Sequence, residues 1–292
     1  KEINHKKDRE YGFVRWYSQV KKHQRLLALE PNLFPEIYSF EISKEFSAID
    51  IEWLQGYVDL KSYLTEGKVS DYEIKFIADE LKQSLDKIHK NKLVGIGNAG
   101  LLYFREEVFQ KLTDAINISK EFKEFLNFPY YIYLGRKVGN MYHKLDELKG
   151  FFSKLELDEE FILGNPTLEN IMYHPLRRKL KFIDLYEESM IDTKYLDYSM
   201  ILQCSTSYYG FINDRKVSVN KYYVSHDLSV PITLELFSKS FKRFLPENSM
   251  HIIKIFELTQ FLRMLPFKLL AGETVKAKFF YAHACSLYSE IF

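Results

Sequence analysis

The sequence contains few cysteines, no excess of either charge and no long apolar run. Its two cysteines, Cys204 and Cys285, lie in apolar stretches without metal-ligand spacing, which favours two small buried side chains over a disulfide framework or a thiolate metal site. Lysine and arginine total 41, and aspartate and glutamate total 40, so net charge favours neither nucleic acid nor an anionic membrane. We find no run of about 18 apolar residues and no secretory signal pattern. We therefore expect a cytoplasmic protein that binds no nucleic acid and does not insert into a membrane.

The first part of the chain is predicted to be a long helix followed by strands. Residues 8–29 carry an apolar stripe, and Glu30-Pro31-Asn32 ends it. Residues 35–54 alternate apolar and polar side chains, which predicts two strands of a small antiparallel sheet. Gly56 then ends the sheet and opens a linker.

The rest of the chain is predicted to be mainly helical. Asp71 is placed to cap a helix that ends near His89, and its apolar residues recur every three or four positions: Ile74, Ile77, Ala78, Leu81, Leu85 and Ile88. Helical patterns also cover residues 104–126, 133–149 and about 232 to the end. We interpret His89 as structural, because a helix C-terminus favours a partly cationic imidazole whatever the function.

The most informative segment runs from Leu163 to Tyr173 and reads Leu-Gly-Asn-Pro-Thr-Leu-Glu-Asn-Ile-Met-Tyr. It places Asn165 and Asn170 five positions apart. Two short apolar runs then flank a Pro-containing polar turn before Asp184, which predicts a β-hairpin. Such a hairpin would bring Asn170, at the start of one strand, close to Asp184, at the end of the other.

This layout matches the chemistry of phosphoryl transfer from ATP. There the protein orients a hydroxyl and neutralises phosphate charge through Mg²⁺, using a catalytic-loop Asp, an Asn five positions later and an Asp after a following strand. Carboxylate and amide oxygens suit Mg²⁺, which takes further ligands from water and phosphate. We therefore predict Asn170 and Asp184 as metal ligands. The alternative is that these are ordinary turn residues, since Asn and Asp favour turns anyway.

With these motifs the chain resembles the aminoglycoside phosphotransferase and choline kinase superfamily. It is most similar to the bacterial branch associated with capsule and lipopolysaccharide genes, which has a His-Gly-Asp-x-x-x-x-Asn-Ile loop, an Ile-Asp strand end and a later Tyr-Asp helix. The matching stretches are Leu163 to Ile171, Phe182-Ile183-Asp184, Tyr195 to Leu202, and Tyr208 to Asn213. Upstream, Ile51 to Gly56 resembles the segment that joins two lobes, and Leu81 to His89 resembles a helix ending in Leu-x-x-x-His.

The resemblance implies an α+β, two-lobed, protein-kinase-like fold. Residues 1–55 would form a small, incomplete lobe with an antiparallel sheet, and residues 56–292 a large helical lobe. Late helices would line a pocket for the acceptor, a sugar or amino alcohol with a free hydroxyl.

The resemblance also implies roles for single residues. Backbone groups of Glu52, Trp53 and Leu54 would bind the purine of ATP, and Asp197 would brace the catalytic loop. Asn165 would occupy the catalytic position.

The first helix of such a fold normally carries a Glu that pairs with a strand lysine. Glu10 and a lost position near Gln19 are the candidates, and Lys1 at the first position is left unassigned. No Gly-rich phosphate loop precedes this helix in the sequence.

Three departures from the family pattern put activity in doubt. Leu163 replaces the loop His, Asn165 replaces the catalytic Asp, and Asp184 runs into Leu185-Tyr186-Glu187-Glu188 where a Pro-Arg-Gly-like turn is expected. An amide accepts a hydrogen bond but cannot take the hydroxyl proton at useful pH, and general bases contribute about 10²- to 10⁴-fold.

Three hypotheses follow for the activity. The chain is a slow ATP-dependent kinase, a pseudokinase that binds nucleotide or a protein partner, or a nucleotidyl transferase using the same cleft. Asn165 is either natural or an engineered inactivating change. Leu163 favours the natural origin, because an inactivating change alone would not alter it.

Overall fold

The computed structural model describes residues 2–42, 46–93, 99–186, 190–214 and 216–292, with only the backbone for residues 2–12 and 214. Lys1, the side chain of Glu10 and the Glu187-Glu188 pair thus lie outside the description. The fold is mixed α+β. Its strands are β1 (Glu2–Asn4), β2 (Ile37–Ile42), β3 (Phe46–Ile51), β4 (Val58–Asp59), β5 (Tyr130–Tyr133), β6 (Arg136–Gly139), β7 (Ile171–His174), β8 (Lys179–Phe182), β9 (Val217–Asn220) and β10 (Tyr223–His226). Its α-helices are α1 (His5–Leu29), α2 (Leu60–Glu66), α3 (Asp71–His89), α4 (Ala99–Tyr103), α5 (Gln110–Ile118), α6 (Lys120–Phe125), α7 (Leu145–Ser153), α8 (Lys194–Ser205), α9 (Tyr209–Asp214), α10 (Ile232–Arg243), α11 (Met250–Arg263), α12 (Leu265–Leu270) and α13 (Thr274–Ile291).

The chain folds into two compact units, each assembled from separate stretches of sequence. Unit 1 comprises Lys1–Leu93, Glu160–Asp197 and Pro231–Phe244. Unit 2 comprises Val94–Glu159, Tyr198–Val230 and Leu245–Phe292. The boundary predicted between residues 55 and 56 falls inside unit 1.

Unit 1 contains two small antiparallel sheets. One has the order β1-β3-β2 and the other the order β4-β7-β8. The two strands predicted within residues 35–54 are confirmed as β2 and β3, and β1 and β4 are additions that the sequence patterns did not predict. Helix α1 covers the predicted span and ends at Leu29, one residue before Glu30. It buries Trp16 and Val20 in a cluster with Ile49 of β3.

Helix α3 occupies the predicted positions and buries the predicted face. All six apolar residues named above are at most 1% exposed, and α3 packs against α10. The predicted cap was wrong by one residue. The Ser70 side chain accepts from the Glu73 N–H, and Asp71 is the first helical residue.

In unit 2, the helix predicted over residues 133–149 is wrong for the first part of that range. Strands β5 and β6 form an antiparallel hairpin with Tyr133 opposite Arg136, and α7 begins only at Leu145. Leu134 and Gly135 both have positive φ, at 48° and 81°, as a tight type I′ hairpin turn requires. The β-prone aromatic run and this turn outweigh the weak helical spacing.

The core of unit 2 is formed largely by α11 packed on α13. The late helical region is confirmed, while the hairpin of β9 and β10 was not predicted. Strand β10 also pairs parallel with β5. Cys204 and Cys285 are buried and form no disulfide with each other, as expected. Among the described residues, no helix combines the length and the apolar character that crossing a membrane requires.

Candidate functional site

A buried carboxylate holds the start of the 163–170 loop in unit 1. Asp197 lies in the first turn of α8 and is fully buried. It accepts hydrogen bonds from the backbone N–H groups of Leu163 (2.9 Å) and Gly164 (2.8 Å). Hydrogen bonds to an ionised acceptor are stronger than neutral ones. Asp197 therefore fixes the backbone of the loop at Leu163 and Gly164. This contact corresponds to the bracing role that the resemblance implies.

His89 completes this support. It is buried at the end of α3, and its Nε2 lies 2.9 Å from the Asp197 carboxylate. A carboxylate only accepts, so the imidazole N–H is the donor. The structural interpretation of His89 agrees with this contact, although the partner is a side chain rather than a helix end.

Gly164 lets the loop approach two other segments closely. Its φ is +77°, and a Cβ built there would lie 3.0 Å from the Tyr186 carbonyl oxygen and 3.2 Å from Lys22 Nζ. The Tyr186 N–H donates to the Leu163 carbonyl at 3.2 Å. A side chain at position 164 would therefore strain the backbone and collide with the segment after Asp184.

The predicted catalytic residue and the two predicted metal ligands are joined around Asn165, through hydrogen bonds to main-chain carbonyls. Asn165 Nδ2 donates to the Asp184 carbonyl oxygen at 3.1 Å, and Asn170 Nδ2 donates to the Asn165 carbonyl oxygen at 3.0 Å. The Ile183 N–H donates to the Asn170 carbonyl at 3.0 Å. Both amides thus use their nitrogen within the chain, so each side-chain oxygen is the atom that can face a ligand.

The predicted hairpin sets this spacing. Strands β7 and β8 pair from Ile171 opposite Phe182 to His174 opposite Lys179. Asn170 immediately precedes the first strand, and Asp184 follows the second with a positive φ of 50°. This left-handed backbone turns the chain sharply at Asp184, a conformation that Asp tolerates better than most residues.

The predicted purine-binding segment already uses several of its backbone groups. The Glu52 N–H donates to the Glu36 carbonyl, and the carbonyls of Trp53 and Leu54 accept from Gln55 and Tyr57. Burial opposes ionisation of Glu52, but hydrogen bonds from Lys181 and the Glu36 backbone outweigh it and lower its pKa. A purine contact at residues 52–54 stays a prediction, with fewer groups available than the resemblance implies.

A small cavity lies between α1 and Asp184, all within unit 1. Its volume is about 80 Å³, and Trp16, Gln19, His23 and Ile49 line it together with Asp184. This is room for more than one water molecule or for one small polar group.

Sequence reasoning missed the contribution of α1 to this site. Lys22 Nζ donates to the Tyr186 carbonyl at 2.7 Å, and the Arg15 guanidinium lies 5.5 Å from the centre of the Tyr186 ring. Arg15, Gln19 and Lys22 stand at i, i+4 and i+7, the spacing of one helix face. This spacing of polar residues was the signal in the sequence that could have indicated the contribution of α1 to the site.

In the described part of the chain, no three His, Cys, Asp or Glu residues are grouped so as to hold a metal ion. A site built on Asn170 and Asp184 would therefore depend on water and ligand oxygens, which suits Mg²⁺ better than Zn²⁺.

Comparison with known proteins adds no relative: no protein-family model matches the chain, and no curated protein matches it.

Proposed function

We propose that unit 1 binds a nucleotide through its phosphates and Mg²⁺, in a kinase-like arrangement, with little or no phosphoryl transfer. The observation that carries the proposal is the set of contacts around Asn165, which joins Asn170 to Asp184 while Asp197 holds the loop from behind. The motif order and the resemblance support the same ligand class.

Asn170 and Asp184 are the residues that would hold Mg²⁺. The Asn170 amide is oriented by its nitrogen, which leaves a hard oxygen donor, and Asp184 supplies a carboxylate at an exposed position. The metal would supply charge neutralisation for the phosphates. The backbone of residues 52–54 remains the proposed contact for the purine.

The side chain of Asn165 argues against efficient catalysis. Its nitrogen faces the Asp184 carbonyl, and an Asp there would place a carboxylate oxygen against that carbonyl. The Asn thus fits its local surroundings, which favours a natural residue and a binding role. In such a role the protein would act as a nucleotide sensor or a docking module for a protein partner in the cytoplasm.

A slow kinase is the second candidate. The Asn165 oxygen can still accept a hydrogen bond from an acceptor hydroxyl, and a loose transition state needs little early deprotonation. Its acceptor would be a sugar or amino alcohol of bacterial surface-polysaccharide metabolism, as the resemblance implies.

Ligand binding can be tested by thermal unfolding with ATP and MgCl₂. At 100 times the dissociation constant, binding stabilises by about 2.7 kcal/mol, which corresponds to roughly 5–10 °C for a unit of this size. Both tryptophans, Trp16 and Trp53, belong to unit 1, so tryptophan fluorescence reports on that unit. No shift at any ATP concentration would refute nucleotide binding.

The metal assignment has a matched control on the 163–170 loop, next to the other proposed ligand, Asn170. We expect Asp184→Asn to abolish the Mg²⁺-dependent part of the shift. Glu169→Gln makes the same charge change, but Glu169 pairs with Lys61 at 2.9 Å, so its shift should match the wild type. An undiminished shift in Asp184→Asn would refute the assignment.

Turnover separates the two candidates. On a panel of sugars and amino alcohols, a slow kinase should show ATP-dependent phosphorylation that Asn165→Asp raises by up to about 10²- to 10⁴-fold. A binding module should show none with either residue.

A further inference from the structure

One face of α1 presents hydrogen-bond donors to the segment that follows Asp184. Arg15, Trp16, Gln19 and Lys22 lie on adjacent positions of this face. Gln19 and Trp16 line the same cavity as Asp184. Arg15 and Lys22 do not line that cavity and instead contact Tyr186, two residues after Asp184. None of the four belongs to the motifs that predicted the site.

Lys22 places a positive charge beside the 163–170 loop. Its half-buried ammonium donates to the Tyr186 carbonyl at 2.7 Å and lies 3.2 Å from where a Gly164 Cβ would stand. Lys22 also takes part in at least one further interaction, so its position is supported from more than one side.

Arg15 brings a second cation to the same segment. Its guanidinium lies over the Tyr186 ring, 5.5 Å from the ring centre. A guanidinium carries five N–H donors in a planar fork that matches the geometry of phosphate oxygens. Arg15 likewise makes another interaction.

Trp16 provides the independent observation. Its side chain is 1% exposed, it lines the cavity beside Asp184, and its Nε1–H has no hydrogen-bond partner among the described residues. A buried N–H without an acceptor is costly, which implies a water or a ligand oxygen at this point. The Trp16 N–H thus has no acceptor among the described residues, and its side chain borders a cavity that can hold one.

We propose that this face of α1 is a phosphate subsite in which Lys22 and Arg15 contact the terminal phosphate of a polyphosphate ligand and the Trp16 N–H binds one of its oxygens or a bridging water. The inference rests on the proposed function and deepens it. Asp184, the nearest carboxylate that lines the cavity, would share the bound Mg²⁺ with the same phosphate. The ligand class is a nucleoside polyphosphate, and pyrophosphate is the minimal probe.

The test compares three ligands on the intact chain: Mg-ATP, Mg-pyrophosphate and adenosine. We expect Lys22→Gln and Arg15→Gln each to weaken ATP and pyrophosphate binding by about 10- to 100-fold, the range for a lost charged hydrogen bond. Adenosine binding should not change. Lys22→Arg, which keeps the charge, should retain most of the affinity.

Lys21→Gln is the matched control. Lys21 is adjacent on α1, but its ammonium lies over the rings of Tyr17 and Phe40, so its loss should change affinity less than about twofold. Thermal unfolding of each free variant detects a folding defect. If Lys22→Gln does not fold, Lys22→Arg is used in its place. The affinity for pyrophosphate must then fall steeply as the salt concentration rises.

Trp16 fluorescence provides a signal that should change only if a ligand contacts its N–H. In the Trp53→Phe background, fluorescence reports on Trp16 alone, and pyrophosphate should shift its emission as its N–H gains an acceptor. Unchanged emission would overturn the subsite. So would Lys22 and Arg15 variants that bind pyrophosphate and ATP as tightly as Lys21→Gln. If Asp184→Asn still weakens ATP binding in either case, the proposed function stands. Wild-type protein that binds neither ATP nor pyrophosphate would refute both.

Discussion

Asp197→Asn should destabilise unit 1 more than any other single-atom change in the site. The wild-type carboxylate is fully buried and accepts three hydrogen bonds, from Leu163, Gly164 and His89, at 2.8–2.9 Å. The amide replaces one of its oxygens by an NH₂ donor. At least one buried N–H must then face another donor.

The expected loss follows from these contacts. A buried unsatisfied donor costs about 1–3 kcal/mol, and each remaining bond loses roughly 1 kcal/mol when its acceptor becomes neutral. We therefore expect the free energy of unfolding to fall by about 3–5 kcal/mol. This is a large fraction of the stability of an ordinary domain.

Urea unfolding followed by tryptophan fluorescence measures this loss, because Trp16 is buried in unit 1. With a denaturant slope of about 1–3 kcal/mol/M, a loss of about 3 kcal/mol lowers the midpoint by roughly 1–3 M.

The control is Asp86→Asn. Asp86 pairs with Lys82 on the surface of α3, and such a pair contributes at most about 1 kcal/mol. If Asp197→Asn moved the midpoint no further than Asp86→Asn, the bracing role of Asp197 would be wrong.

Three further changes test the site and unit 2. Asn165→Asp should lower the melting temperature by a few degrees, because a carboxylate oxygen would replace the amide nitrogen that now lies 3.1 Å from the Asp184 carbonyl oxygen, and the two oxygens would repel each other. An unchanged melting temperature would contradict this orientation of Asn165. Gly164→Ala should cost at least about 1–2 kcal/mol from its positive φ alone, and more from the contact with Tyr186; a neutral effect in urea unfolding would show that the loop relaxes. Burial lowers the pKa of His283 from 6.5 to about 3, so the folded state keeps the ring neutral, and its contribution to stability is complete above pH 6.5 and declines as pH falls towards 3. His283→Gln should remove that decline, about 2 kcal/mol between pH 6.5 and 5, in circular-dichroism melts; parallel pH profiles for both proteins would refute the assignment.

Much of unit 1 could be predicted because its signals are local. The spacing of apolar residues in α3 lies within one helix, and the turn between β7 and β8 lies between two adjacent short strands. The positions of Asn170 and Asp184 follow from that hairpin. The bracing contact of Asp197 came from the resemblance, since no local pattern connects it to the loop.

Other features escaped prediction because different forces decided them. The hairpin of β5 and β6 has a competing helical pattern, and its pairing with β10, some 90 residues later, favours the strand. The Ser70 cap differed from Asp71 because both residue types cap helices well. Such choices between similar local energies are decided by packing.

The sequence by itself determined the helix faces, the 171–182 hairpin and the residue types that can hold a phosphate-bound cation, because each depends on neighbours within a few turns or one hairpin. Tertiary structure alone decided that Lys22 meets Tyr186, 164 positions away, and that His89 meets Asp197, 108 positions away. Contacts of such long range cost chain entropy and form only when whole elements pack, so no short pattern of residues records them.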